Sequence, residues 1–298
     1  MVNLRTESRA EDPYIDQIND DYNGQERAQV YQLTAGLRPG RGEPIPAAQD
    51  VHVLPVQDIS FYNLRGYLLS GWIAINSPDA PVIILTHGTP GNRVSMISRA
   101  AFLFQHGYNV LLFDFQSYGK SQGVMSTLGM VESEDILAAI SYVKSRDDTA
   151  HSKVGVLGLS MGATAAVLAA ARSNDIDALV AESCPEDATR VLSDVPNEAT
   201  RDADQALASQ IYGVDITQAR PIAVVNTLAN HTALFFINGD ADHTTPLAGM
   251  YQLYQAAGGS KQYWVVPGAG HAQSFDVDPI DFEARVDTFF DASLNFIP

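Results

Sequence analysis

"VGVLGLSMGATAAVLAAA", residues 154–171, sets one serine between two glycines where an apolar run gives way to an alanine-rich one. A serine hydroxyl is a weak nucleophile. It becomes useful when it is exposed, held near an electrophile and paired with a base. A sharp strand-to-helix turn would push the Ser160 hydroxyl above the edge of a sheet. Strand and helix then come too close for side chains two residues to either side, which accounts for Gly158 and Gly162. The helix that follows aims its free N–H groups at the same spot and favours negative charge there. On its own the pentapeptide reads equally well as a glycine-rich strand end with a solvated serine, so its chemistry depends on the elements around it.

Those elements alternate. "VHVLPVQDISF" and "YLLSGWIAI" have β-rich, partly alternating composition and read as an antiparallel start. "APVIILTHG" and "YNVLLFDF" are continuous apolar runs, as expected of strands covered on both faces. A helix is expected between them, over residues 93–105. "MVESEDILAAISYVKSR" is helical, with Ile136, Ile140 and Val143 on one stripe. Strand "KVGVLGLS", helix "MGATAAVLAAARS" and strand "IDALVAES" follow. Residues 185–230 break the rhythm and read as a polar insertion with a short stripe at Leu207, Ile211 and Val214. "TALFFINGD" and "KQYWVVPG" are the last strands, with helix "PLAGMYQLYQAAG" between them. A final helix carries Phe282, Val286 and Phe289 on one face. The pattern predicts an α/β domain over residues 51–298, a mostly parallel sheet with helices on both faces. Residues 1–50 differ. They read as an extension with one short helix at residues 26–37, around Val30, Leu33 and Leu37. In open α/β sheets ligands sit beyond the C-terminal ends of the strands. Polar motifs stand at those ends: "LTHGTPGNR", "FDFQSYGKSQG", "GLSMG", "NGDADHTTP" and "VVPGAGHAQSF".

Together these motifs resemble the α/β-hydrolase-fold serine hydrolases, in the esterase, lipase and aminopeptidase-like group with small caps. The resemblance runs from Val51 to the C-terminus. It implies a central sheet of about eight strands, with residues 185–230 as the cap or lid, and the chain order serine, acid, histidine. The family's G-x-x-D-x-x-x-P falls on Gly239, Asp242 and Pro246, so Asp242 is the implied acid. Asp240 is its rival and otherwise a turn residue. His271, after the last strand, is the implied base; His243, next to the acid, would face the wrong way for that role and reads as a loop residue. An H-G-x motif falls on His87, Gly88 and Thr89. The Thr89 N–H, paired with the N–H of Met161, is the implied oxyanion hole. His87 is expected to bond neighbouring loops. Relatives carry D-x-R-G-x-G-x-S-x-G where Asp114, Gly119, Ser121 and Gly123 stand; Gln116 and Ser117 replace the usual Arg-Gly, a departure that bears on the packing of this loop more than on the chemistry. Tyr118 reads as an exposed loop residue.

Composition narrows the classes. Lysine and arginine number 18 against 35 aspartates and glutamates, a net charge of −17, so nucleic acid is excluded as a partner. No run approaches the ~18 apolar residues of a membrane span. The acidic N-terminus lacks a signal peptide's apolar core. Its expected compartment is the cytoplasm, or outside the cell with the signal peptide already gone. The single cysteine, Cys184, allows no intrachain disulfide and reads as a small buried residue. No H-E-x-x-H, P-loop or G-x-G-x-x-G is present. His87, His271 and Asp242 could imitate a metal site only by giving up better roles, so no cofactor is expected. The expected partner is a small-molecule ester, cleaved through an acyl-enzyme on Ser160. The same machinery serves amides, thioesters, lactones and carbon–carbon bonds, and a silent binding protein would normally have lost one of these groups.

Overall fold

A computed structural model describes residues 43–78, 80–190 and 198–295. The helix expected within residues 26–37 lies outside them. The strands are β1 (Gln57–Tyr62), β2 (Leu68–Ala74), β3 (Val82–Thr86), β4 (Asn109–Phe113), β5 (Val154–Leu159), β6 (Ala178–Glu182), β7 (Ala233–Gly239) and β8 (Lys261–Val266). They form one 8-stranded sheet in the order β1-β2-β4-β3-β5-β6-β7-β8. β2 runs antiparallel to β1 and β4. The strands from β3 to β8 are parallel. This is the α/β-hydrolase fold that the motif order implied.

Every residue of β3, β4, β5 and β6 is buried, which is why those runs are apolar without alternation. One face is covered by the helices Glu132–Lys144, Met161–Ala170 and Leu247–Ala256. Ile136, Ile140 and Val143 lie in that core, as their spacing predicted. The other face is covered by the helices Ile97–Gln105 and Pro279–Leu294, with Phe282, Val286 and Phe289 inward. The helix Met161–Ala170 is buried along its whole length, so small alanines suit it.

Two expectations need adjustment. Residues 93–105 are not one helix: a 3₁₀ turn, Arg93–Met96, precedes the α-helix. The Asn92 side chain accepts from the Val94 N–H, and the Arg93 N–H donates to Asp114, so the first turn is tied to side chains instead of to its own ladder. In the 185–230 segment the helix Glu198–Tyr212 is followed by short turns, and Val214 lies beyond the helix. Leu207, Ala208 and Tyr212 pack with Val124, Met125, Leu128 and Val131 of the β4 loop, and Ile211 and Val214 lie partly buried against them. The end of the N-terminal extension also docks: Ile45 and Ala48 rest on the second core, and the Glu43 carbonyl accepts from Asn92 Nδ2. Among the described residues no helix is long and apolar enough to cross a membrane.

Candidate active site

Ser160 stands between β5 and the helix Met161–Ala170 with φ 54 and ψ −116. Positive φ in a residue with a Cβ is strained and persists only where the surroundings impose it. Here they do. A Cβ on Gly162 would collide with the carbonyl oxygens of Thr86 and His87. One on Gly158 would lie 2.7 Å from Ala163 Cα. The two glycines let the turn close, and the Ser160 N–H donates to the Glu182 carbonyl at 2.9 Å.

The side chains predicted from the sequence converge. Ser160 Oγ lies 2.9 Å from His271 Nε2. His271 Nδ1 lies 2.9 Å from Asp242 Oδ2. The Asp242 carboxylate is buried and the imidazole partly open. Asp242 also accepts from the N–H groups of Thr244 and Thr245 and, at 2.6 Å, from the Thr245 hydroxyl. Burial opposes its ionisation, but the bonds from His271 and Thr245 outweigh it and hold the carboxyl below its usual range. Asp240 is apart from this set: it accepts the Gly268 N–H, the turn role it was assigned. His243 is exposed.

His87 is buried and links two loops. Its Nδ1–H donates to the Gly88 carbonyl at 2.8 Å, and its Nε2 accepts the Phe115 N–H at 3.1 Å. Burial lowers its pKa, in keeping with a neutral ring. Both nitrogens are occupied, so His87 does not join His271 and Asp242 around a metal. Among the described residues no three His, Cys, Asp or Glu side chains could hold one. Gly88 and Thr89 border Ser160 in a cavity of about 300 Å³, with Ser95, Ser98, Arg99, Leu159, Ala272 and Asp276. A Cβ on Gly88 would sit 3.2 Å from that of Ser160. Met161 opens the helix after the nucleophile turn.

Tyr118 is not exposed. It is fully buried, with its hydroxyl 2.9 Å from Ser126 Oγ and 3.2 Å from Met161 Sδ, and its ring edge-on to His87. The loop "DFQSYGKSQG" folds inward because Asp114 gathers donors: Arg93 Nε at 3.1 Å, Arg93 Nη2 at 2.8 Å and the Lys120 N–H at 2.8 Å. A guanidinium thus reaches this aspartate from residue 93, and Gln116 lies free of that task, accepting from Asn63 instead. Ser117 takes φ 69 where the resemblance expects glycine. Sequence reasoning missed Thr245, Arg99, Glu182 and Ser183. The threonines after Asp242 carried a signal, since a carboxylate commonly accepts backbone N–H groups two residues on. Cys184 is buried and free, as read.

Residues 13–222 match the family described as X-Pro dipeptidyl-peptidase (S15 family). An uncharacterized protein, Rv2307c of Mycobacterium tuberculosis, is 27% identical over 249 residues, covering 83% of this chain and 80% of that one. The uncharacterized protein YfhR of Escherichia coli O157:H7 is 25% identical over 249 residues, 81% of this chain and 80% of its own. The crystal structure of the Pyrococcus furiosus esterase Pf2001 superposes with a TM-score of 0.72 at 26% identity, covering 87% of this chain and 100% of that one.

Proposed function

The chain belongs to the X-Pro dipeptidyl-peptidase (S15) family and is a serine hydrolase of the α/β-hydrolase type, and within that class we propose that it is a carboxylesterase acting on small or short-chain acyl esters. The unbroken line Asp242–His271–Ser160, two hydrogen bonds of 2.9 Å each, carries the acyl-transfer chemistry, and the likeness to the Pyrococcus furiosus esterase supports an ester as its substrate.

His271 Nε2 removes the hydroxyl proton as Ser160 Oγ attacks the ester carbonyl carbon. The carbonyl π pair moves to oxygen, and the N–H groups of Thr89 and Met161 receive the oxyanion. The tetrahedral adduct collapses, the C–O bond to the alcohol breaks, and the imidazolium protonates the departing alkoxide. Water then attacks the acyl-Ser160 carbonyl with His271 again as base, and the carboxylic acid leaves. Asp242 fixes the Nδ1–H tautomer and balances the imidazolium charge throughout. The helix Glu198–Tyr212 belongs to the proposed cap, residues 185–230, and is seated on the 124–131 loop through Leu207 and Tyr212. The polar side chains of Thr89, Ser95, Ser98 and Arg99 that border the cavity suit a short acyl group better than a long alkyl chain.

Turnover of p-nitrophenyl acetate and p-nitrophenyl octanoate tests this. Acetate is expected to be the better substrate, and Ser160→Ala to abolish both turnover and fluorophosphonate labelling. Folded wild-type protein that cleaves neither ester would overturn the ester assignment. The family description favours a second reading, an amide substrate, for which a proline-containing dipeptidyl anilide is the probe. Cleavage of that anilide with the nitrophenyl esters inert would replace the first reading by the second.

A further inference from the structure

The residue after His271 is Ala272, and it holds φ 61. That left-handed conformation disfavours a residue with a Cβ, so something must impose it. Its main-chain N–H is engaged from the end of β6 and its carbonyl from the helix Ile97–Gln105. The Ala272 N–H donates to Ser183 Oγ at 3.1 Å. Its carbonyl lies 3.5 Å from Arg99 Nη2. Ser183 is itself buried at φ 50, and its own N–H donates to the Ile237 carbonyl of β7. Its hydroxyl therefore has a fixed origin.

Arg99 is equally constrained. Glu182 chelates its guanidinium through both oxygens, Oε2 to Nε at 2.9 Å and Oε1 to Nη2 at 2.8 Å, with both side chains buried. The guanidinium lies over the rings of Phe275 and Phe282, 5.2 and 5.5 Å from their centroids, and so grips the chain that follows the histidine. The main-chain carbonyl of the same Glu182 accepts the Ser160 N–H. Two consecutive residues, 182 and 183, thus hold the nucleophile through a backbone bond and the base's neighbour through side chains.

Building on the assignment of Ser160 and His271 above, we infer that Ser183 and Arg99 are positioning residues that set the His271 imidazole against Ser160. Neither touches the reacting atoms. Ser183 fixes the peptide after the base. Arg99, held by Glu182, reaches the carbonyl of the next peptide and grips the Phe275 ring beyond it. With the hydroxyl of residue 183 gone, the His271 loop relaxes from its left-handed turn and the 2.9 Å contact to Ser160 is no longer enforced.

Three variants test this, Ser183→Ala, Ser183→Gly and Arg99→Lys, each checked for fold by circular dichroism and melting temperature. Positioning predicts that Ser183→Ala lowers kcat for p-nitrophenyl acetate by at least about tenfold with KM within about twofold, because misplacement acts on the reacting geometry more than on binding. Ser183→Gly is the discriminating variant, since it removes the hydroxyl while relieving the backbone strain. It is expected to lose as much kcat as the alanine variant. Arg99→Lys, which keeps charge but loses the two-point grip, is expected to fall between wild type and Ser183→Ala. Wild-type kcat in folded Ser183→Gly overturns the proposal, as does a loss that appears only in KM. Should Ser183→Ala fail to fold, Ser183→Gly decides. Each protein is also scored for the rate at which a fluorophosphonate modifies Ser160, a reaction that needs the base but no ester. If wild type labels quickly but hydrolyses no ester, the substrate assignment fails while the labelling rates of the variants still decide the positioning.

Discussion

Two buried aspartates sit in contrasting surroundings. Asp242, beyond β7, accepts from His271, Thr244 and Thr245, and its carboxyl is held below the usual range. Asp204, on the helix Glu198–Tyr212, is as deeply buried, yet among the described residues neither of its oxygens finds a hydrogen-bond partner, and burial pushes its pKa up to about 6. Burial alone penalises charge in both places. The difference lies in whether the chain supplies donors to offset that penalty. At the rim of the sheet it supplies them through a short turn, "DHTT", whose backbone N–H groups face back onto the carboxylate. On the helix the backbone N–H groups are committed to the ladder, so none of them is available to an inward-turned carboxylate. The Asp242 charge is sustained at a strand end closed by a turn, and the Asp204 charge is penalised within a helix.

The contrast breaks most visibly if Asp242 loses its charge. Asp242→Asn keeps the shape but presents an amide to His271 Nδ1, which favours the wrong imidazole tautomer. In triads of this kind such a change costs about 10³–10⁴-fold in kcat with little effect on KM. Steady-state kinetics at saturating ester measure it. A loss under about tenfold would mean that Asp242 is not the acid.

Removing the other charge should have the opposite sign. The Asp204 pKa lies near 6 in the fold, against ~3.9 for an unstructured chain. A raised carboxyl pKa means that the folded state binds the proton more tightly than the unfolded one. The penalty is absent below about pH 4, grows as pH rises to about 6 and is complete above that. Asp204→Asn is therefore expected to stabilise the protein by about 2 kcal/mol at pH 7.5 and by little at pH 4. Thermal unfolding at the two pH values measures it. An equal gain at both would remove the charge from the explanation.

Much of this was readable in the chain. β3, β4, β5 and β6 are continuous apolar runs because both faces are covered, and that alone signals a parallel sheet. Ser160 could be located because it follows such a run, whereas Asp242 and His271 were implied by the resemblance of the motifs that end β7 and β8, at strand ends that share one rim in these sheets. What escaped was pairing over long separations. Arg93 reaches Asp114 across 21 residues and Arg99 reaches Glu182 across 83, and no local pattern encodes either. Tyr118 read as exposed because its neighbours are glycine, serine and lysine, whereas its burial follows from the Arg93–Asp114 pair drawing the loop inward. A buried Asp204 was unreadable for the opposite reason: a polar helix stripe reads as solvated until its packing partner, the 124–131 loop, is known.

The smallest expected effect isolates one of the donors that set the two aspartates apart. Thr245→Val deletes the hydroxyl that lies 2.6 Å from Asp242 Oδ2 while keeping the bulk of a buried side chain and the Thr245-position N–H bond to Oδ1. One neutral hydrogen bond to a charged group contributes about 1.5 kcal/mol or somewhat more, so kcat is expected to fall by about tenfold at neutral pH. The pH dependence carries the sharper signal. That hydroxyl helps to depress the Asp242 pKa, so without it the carboxyl protonates at higher pH, and the charge that supports the imidazolium is lost earlier on acidification. The acid limb of the kcat profile in Thr245→Val should move toward neutral pH, with the basic side unchanged. A uniform loss at every pH would instead assign Thr245 to the orientation of His271, whose Nδ1 lies 3.3 Å from the same hydroxyl.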